Sequence, residues 1–338
     1  MREKTKEEHK YTSTGIKFWK HPKQMENYKY GNNNTIISTH ISPESLCNLN
    51  CSYCSVKKRK RSFRIELDVI KDYILKLMTS GLKAVILTGG GEPLLYPYIN
   101  ELSYWIKKEK GLSLALITNG TCSEKLEDWS LFSWIRVSIN EIQDWENKIN
   151  IPIKSLSKNT VVGCSYIDTG NLENNINSLS KMLDKLNAQY LRILPNCLLN
   201  QSDLIKEHER IDKLFKTKIK DKRFFHQYKI HETPISKICH QSYFRPYLSE
   251  INGGTVFPCD SIVLNESIEH FNEKYSICKA EDILLFLNKY INGNFNPKVD
   301  CTGCVFSENI KMLDNWVNNK IDYFEKYEKK ELLHEEFV

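Results

Sequence analysis

The chain lacks any run of about eighteen consecutive apolar residues, so no membrane-spanning helix is expected. Its opening, MREKTKEEHK, lacks the apolar core of a secretory signal, and a cytoplasmic protein is the expectation. No internal repeat and no long low-complexity tract is present. Strong charge of one sign is missing as well. A net charge of +6 is too modest to argue nucleic-acid binding alone. Much of that excess sits in one run, Lys57 to Arg61, reinforced by Arg64. Such a patch either attracts phosphate, nucleic acid or an acidic peptide, or is a solvated basic loop.

Cysteine is the residue that is not scarce. Eleven occur in 338 residues. In a reducing compartment, clustered cysteines signal metal or redox chemistry more often than disulfides. Three lie early, at Cys47, Cys51 and Cys54. Five lie late, at Cys239, Cys259, Cys278, Cys301 and Cys304. Cys122, Cys164 and Cys197 are scattered between.

The length suits one α/β barrel with a small appended domain, and 41% hydrophobic residues can fill its core. Short β-branched or apolar runs fall at Thr35–Ile41, Ala84–Thr88, Leu114–Thr118, Trp134–Ile139, Thr160–Cys164 and Tyr190–Leu194. Helical patterns fall between several of them. Leu67, Ile70, Ile74 and Leu77 share a helical face that Gly81 closes, and Ile176, Leu179, Leu183 and Leu186 repeat the pattern. Six strands alternating with helices predict a parallel sheet covered by helices. The weakest links lie at 121–158, where helix signals are short. The expected division is an N-terminal extension at 1–34, the barrel at 35–235, a small cysteine-rich domain at 236–307 and a helical tail at 308–338. Ile321, Phe324 and Tyr327 are placed to dock that tail.

Sites in such sheets form at the C-terminal ends of the strands. Cys47 follows strand one, Gly89-Gly90-Gly91-Glu92-Pro93 strand two, Asn119-Gly120 strand three, and Ser138-Ile139-Asn140 closes strand four. Three thiolates spaced C-x3-C-x2-C surround a soft metal centre. An iron–sulfur cluster held by three cysteines keeps one iron open. A zinc site with His40 as fourth ligand is the competing reading.

C-x3-C-x-aromatic-C after a first strand, with GGEP after the second, resembles the radical S-adenosylmethionine (SAM) superfamily. The resemblance implies a partial, six-stranded parallel β/α barrel over about residues 35–200. It also implies a 4Fe–4S cluster on Cys47, Cys51 and Cys54 whose open iron binds SAM. Reductive cleavage of SAM would give a 5′-deoxyadenosyl radical that takes a hydrogen atom from a substrate. Tyr53 matches the position against the adenine, or simply packs. Gly90, Gly91, Glu92 and Pro93 match the element that meets the SAM amino group, where a chain without Cβ can approach a ligand. Ser138 and Asn140 resemble the ribose-contacting strand end, Asn171 the adenine or ribose region, and Arg192 the partner of the SAM carboxylate. Ordinary strand-end capping is the alternative for Ser138, Asn140 and Asn171. An electron donor such as flavodoxin or ferredoxin is implied as partner.

Cys239, fourteen residues, Gly254, four residues and Cys259 resemble the start of the SPASM and Twitch extensions of that superfamily. Only Cys301-Thr-Gly-Cys304 follows, which suits the shorter Twitch pattern. The resemblance implies one auxiliary 4Fe–4S cluster on Cys239, Cys259, Cys301 and Cys304, with Cys278 able to replace one of them and His240 beside a ligand. A four-cysteine zinc site is the alternative. The substrate stays open between an anionic small molecule or nucleotide and a peptide. A non-catalytic zinc or iron–sulfur module that docks nucleic acid or protein is the reading from another class.

Overall fold

In the computed structural model, residues 4–139, 145–289, 296–301, 303–321 and 332–338 are described. Ten strands form one sheet. They are β1 (Ser38–Ile41), β2 (Ala84–Leu87), β3 (Ser113–Thr118), β4 (Trp134–Ile139), β5 (Val161–Asp168), β6 (Tyr190–Pro195), β7 (Phe224–His226), β8 (Tyr247–Ser249), β9 (Thr255–Phe257) and β10 (Cys278–Lys279). Their order is β10-β9-β8-β1-β2-β3-β4-β5-β6-β7.

The six expected strands are β1–β6, neighbours in chain order and parallel throughout. Strands buried on both faces read as apolar runs, which is why these six were visible. The sheet is wider than six strands. β7 extends it beside β6. On the other edge β8 pairs in parallel with β1, and β9 and β10 follow antiparallel. The segment after 236 therefore continues the barrel's own ladder. Both β7 and β8 have three residues, too few for a periodicity to show. β5 runs four residues beyond the expected Cys164, because Ser165 and Asp168 break the apolar run while the ladder to β6 continues.

The helix Leu67–Thr79 buries Ile70, Tyr73, Ile74 and Leu77 against the sheet. Gly81, at φ +100°, ends that turn. The helix Leu172–Lys185 buries Leu179, Met182 and Leu183. Between β3 and β4 only the 3-10 turns Ser123–Lys125 and Trp129–Leu131 occur among the described residues.

Both chain ends pack across the N-terminal mouth of the barrel. In the helix Lys6–Tyr11, Thr5 and Glu8 form a capping box. Tyr11 stacks on Tyr190 with ring centroids 4.2 Å apart. Trp19 meets Trp316 of the helix Ser307–Val317 edge to face. Phe337 packs on Trp134, and Lys17 donates to the carbonyls of His334 and Phe337. Ile321 packs on the core, whereas Phe324 and Tyr327 lie outside the described residues. No helix among the described residues is long and apolar enough to cross a membrane.

Gly163 in β5 stands opposite Tyr190 in β6, and a Cβ there would collide with the Tyr190 ring. That buried ring accepts a hydrogen bond at its hydroxyl from Arg136 Nε, 3.2 Å away, so it has no free direction in which to yield. Gly163→Ala is therefore expected to cost about 1–3 kcal/mol by overpacking. Urea denaturation checks this; an unchanged midpoint at unchanged slope would show that the ring is not confined.

Candidate active site

The segment after β1 carries the early cysteines through an irregular loop. Its shape is held from several sides. Arg61 Nη1 donates to the Cys47 carbonyl at 2.6 Å, and Arg64 Nε donates to Glu44 at 2.7 Å. Arg59 is buried. Its Nη1 meets Glu250 at 2.6 Å, while Nε and Nη2 meet both Glu266 oxygens at 2.9 and 3.1 Å. Half of the basic cluster, Arg59, Arg61 and Arg64, thus holds its own loop, whereas Lys57, Lys58 and Lys60 are exposed, with Lys57 at the edge of the cavity described below.

The glycine loop after β2 packs directly on this segment. Gly91 N–H donates to the Glu44 carbonyl at 2.9 Å, Glu92 N–H to Leu46 at 2.8 Å, and Gly90 N–H to Ser42 Oγ. A Cβ on Gly91 would collide with the Leu46 carbonyl. One on Gly90 would collide with Glu250 and Arg59. The glycines are required by close approach of protein to protein, a reason the sequence did not reveal. Glu92 turns inward and accepts from Thr118 Oγ1, Asn119 N–H and Leu94 N–H. Burial pushes its carboxyl up to about 6 against those hydrogen bonds. It ties the loop after β2 to the end of β3. Asn119 in turn donates to Asn48, which donates to Thr121 and to Cys122 Sγ.

These contacts shape a cavity of about 400 Å³ at the C-terminal ends of the strands. Cys47, Cys51, Cys54 and Tyr53 line it, as do the glycine loop and Ser138. The Leu49 N–H donates to Cys47 Sγ at 3.4 Å. Burial raises the Cys47 and Cys51 thiols, and the neighbouring thiols add to the rise. Asn171 does not join them: it is exposed at the start of the helix Leu172–Lys185. Arg192 lines a second, inner cavity instead. Asn140 lies outside the described residues. His40, the suggested fourth zinc ligand, also faces the inner cavity, 3.7 Å from Asp260, and is absent from the walls of the cysteine cavity. Among the described residues no three Cys, His, Asp or Glu side chains close on a single ion. The donor set of the early loop is three thiols, which suits an iron–sulfur cluster.

The late cysteines meet in a second apolar cluster that contains Cys239, Cys301 and Cys304, with Cys259 packed against it. Gly254, at φ +129°, turns the β8–β9 hairpin that returns the chain to Cys259. Cys304 exchanges backbone hydrogen bonds with Glu232. Burial pushes the Cys239 thiol up to about 12, with Cys301 next in effect, and also holds Cys259 well above its ordinary value, with Cys239 next. A hydrogen bond with Cys304 holds Cys301 below its ordinary value. Cys278 stands apart: it packs on the main core, with Asp282 beside its thiol. His240 accepts from or donates to Tyr28 Oη at 2.8 Å and approaches Asp314, so it joins the N-terminal segment to the helix Ser307–Val317. Cys164 is fully buried in the main core, whereas Cys197 lines the cysteine cavity.

The parallel sheet thus carries a three-cysteine loop after its first strand and a glycine loop after its second. Residues 41–167 match the model of the Radical SAM superfamily. Over 112 residues it is 29% identical to the S-adenosylmethionine-dependent nucleotide dehydratase of Thermoplasmatales archaeon (strain ISO4-H5), covering 32% of this chain and 39% of that protein. Over 97 residues it is 34% identical to the GTP 3′,8-cyclase of Chlorobaculum tepidum, covering 28% and 29%. The chain thus spans less than half the length of these relatives. Among solved structures, Streptococcus suis SuiB bound to precursor peptide SuiA is similar in fold, with TM-score 0.54 and 15% identity over 80% of this chain and 70% of that one. The same protein bound to S-adenosylmethionine gives a TM-score of 0.53.

Arg59→Ala would leave Glu250, which is fully buried, without its cation. The expected loss is about 3–5 kcal/mol of folding stability. Arg59→Met combined with Glu250→Leu is expected to recover most of it. Denaturant titration of the three variants distinguishes a charge left uncompensated from a simple loss of packing, since only the first is rescued by the pair.

Proposed function

We propose that the chain is a radical SAM enzyme with two 4Fe–4S clusters. Cys47, Cys51 and Cys54 would hold the first, and Cys239, Cys259, Cys301 and Cys304 the second. The observation that carries this reading is the single rim cavity on which three thiols of one loop, the glycine loop and Ser138 converge. When bound, the first cluster supplies the electron that breaks the S–C5′ bond of SAM. The residues of this chain set the frame. Arg59, Arg61 and Arg64 hold the cysteine loop, and the Leu49 N–H is directed at one ligand sulfur. Tyr53 offers a ring to the adenine, and Ser138 a hydroxyl to the ribose. The second cluster would support the substrate pocket or relay electrons, since four thiolates leave no iron open.

The reaction class is hydrogen abstraction from a substrate that is then oxidised, rearranged or cross-linked. The named activities of the relatives, on nucleotides and on GTP, favour a nucleotide-like anionic substrate over a peptide. A flavodoxin- or ferredoxin-type donor and a cytoplasmic setting complete the proposal.

After anaerobic reconstitution, about eight irons per chain are expected, falling to about four when Cys47, Cys51 and Cys54 are all replaced by Ala. With dithionite and SAM, the parent protein should form 5′-deoxyadenosine and the triple variant should not. Iron and zinc analysis with chromatography of the nucleoside checks both. About one zinc per site and no deoxyadenosine would leave a cysteine-rich binding module instead.

A further inference from the structure

Beneath the cysteine cavity lies an inner one of about 150 Å³. The two share Lys229, Asp260, Ile117 and Val305, so they adjoin. Alternation along the strands supplies the inner walls. In β4, Arg136 and Ser138 face the interior at successive heights, while Ile135, Val137 and Ile139 pack toward the helices. In β6 the equivalent inward residue is Arg192, opposite Ser165 of β5. The N-terminal helix closes the cavity from below with Glu8.

The charges in this space do not balance. Arg136, Arg192, Lys229 and Arg245 line it, against the carboxylates of Asp260 and Glu8, an excess of two positive charges. Lys4 is also at the wall, but it pairs with Glu308. Asp260 is engaged by Arg245 at 2.7 Å, and Arg245 also donates to a carboxyl oxygen of Val338, the last residue, so Arg245 is matched and the excess falls on the other three cations. Glu8 accepts from the backbone N–H groups of Thr5 and Tyr228. Among the described residues Arg136 donates only to neutral oxygens, the Tyr190 hydroxyl and the Tyr11 carbonyl. Arg192 Nε is buried with no hydrogen-bond partner among the described residues. His40 adds no charge, since burial holds it down at about 3. Burial also lowers Arg192 to about 9, with Arg136 next in effect, and Lys229 to about 8, with Arg192 next. Arg136 is buried and Arg192 and Lys229 are half-buried, and cations drawn that far out of water without a carboxylate gain from an anion that joins them.

We propose that Arg136, Arg192 and Lys229 form a subsite for the phosphate group of a small-molecule substrate, whose reacting portion extends up into the cysteine cavity. The inference rests on the radical SAM reading only for the word substrate; the anion site itself stands on the charges and the cavity. A guanidinium pair and an ammonium suit a tetrahedral dianion, because each guanidinium offers paired donors. The inner space accommodates a group of phosphate size but not a folded peptide, so a phosphorylated compound is favoured over a peptide chain.

The experiment is calorimetric titration of the full chain with inorganic phosphate and with inorganic pyrophosphate, with acetate as the carboxylate comparison. Saturable binding of phosphate or pyrophosphate is expected, with acetate binding at least tenfold more weakly. Arg136→Met and Lys229→Met should each weaken the phosphate interaction about tenfold or more. The midpoint of thermal unfolding without ligand should stay level or rise in these variants, because each removes an uncompensated charge. Binding of acetate as tight as phosphate would overturn the phosphate assignment. Absence of saturable binding to the parent protein would overturn the site, whatever the variants do, and so would variants that bind as well as the parent. Deoxyadenosine formation by the parent protein is measured separately. Deoxyadenosine without phosphate binding sinks this inference alone; phosphate binding without deoxyadenosine sinks the enzymatic reading and leaves the anion site standing.

Discussion

The buried ion pair of Arg59 with Glu250, extended to Glu266, is the contact on which the rim of the barrel depends. Taking such charges out of water costs several kcal/mol per ion, and only close, multiple hydrogen bonds offset it. Here Arg59 makes three, at 2.6, 2.9 and 3.1 Å. The pair joins the loop after the early cysteines to the turn after β8, two segments about two hundred positions apart. Gly90 lies against the same two side chains, so a third segment is placed by them. Any replacement that unbalances the charge moves all three.

The glycine loop extends that frame. Its N–H groups are directed to Ser42, Glu44 and Leu46, which lead into Cys47. Glu92 then fixes the loop to the end of β3. A site built this way is braced at the backbone by the protein's own hydrogen bonds. The second cysteine group is joined to the same ladder through Cys259, because β8 pairs with β1 and β9, which leads into Cys259, pairs with β8.

At the other end, the termini perform a complementary task. Tyr11 on Tyr190, Phe337 on Trp134 and the Lys17 hydrogen bonds close the N-terminal mouth. Closure turns the lower barrel into an enclosed space, and enclosure gives Arg136, Arg192 and Lys229 their chemical significance. An exposed cation is satisfied by water; one drawn partly out of it gains more from a matching anion.

What the sequence determined by itself was whatever is written in local spacing. Strands buried on both faces are continuous apolar runs, so β1–β6 were legible. Three cysteines within eight residues and a triple glycine after the next strand carry their relation within short windows, and the structure brings both to one cavity. Only the tertiary structure decided the rest. Three-residue strands such as β7 and β8 have no periodicity to read, so the width of the sheet was hidden. The basic run looked like one feature, yet Arg59 is buried while Lys57 and Lys58 are exposed, because burial depends on distant Glu250 and Glu266. Arg192 was visible as a cation within an apolar strand, but its companions Arg136 and Lys229 come from other strands and loops. Charge balance inside a barrel is a sum over segments that meet only when the chain has folded, and no window of sequence contains it.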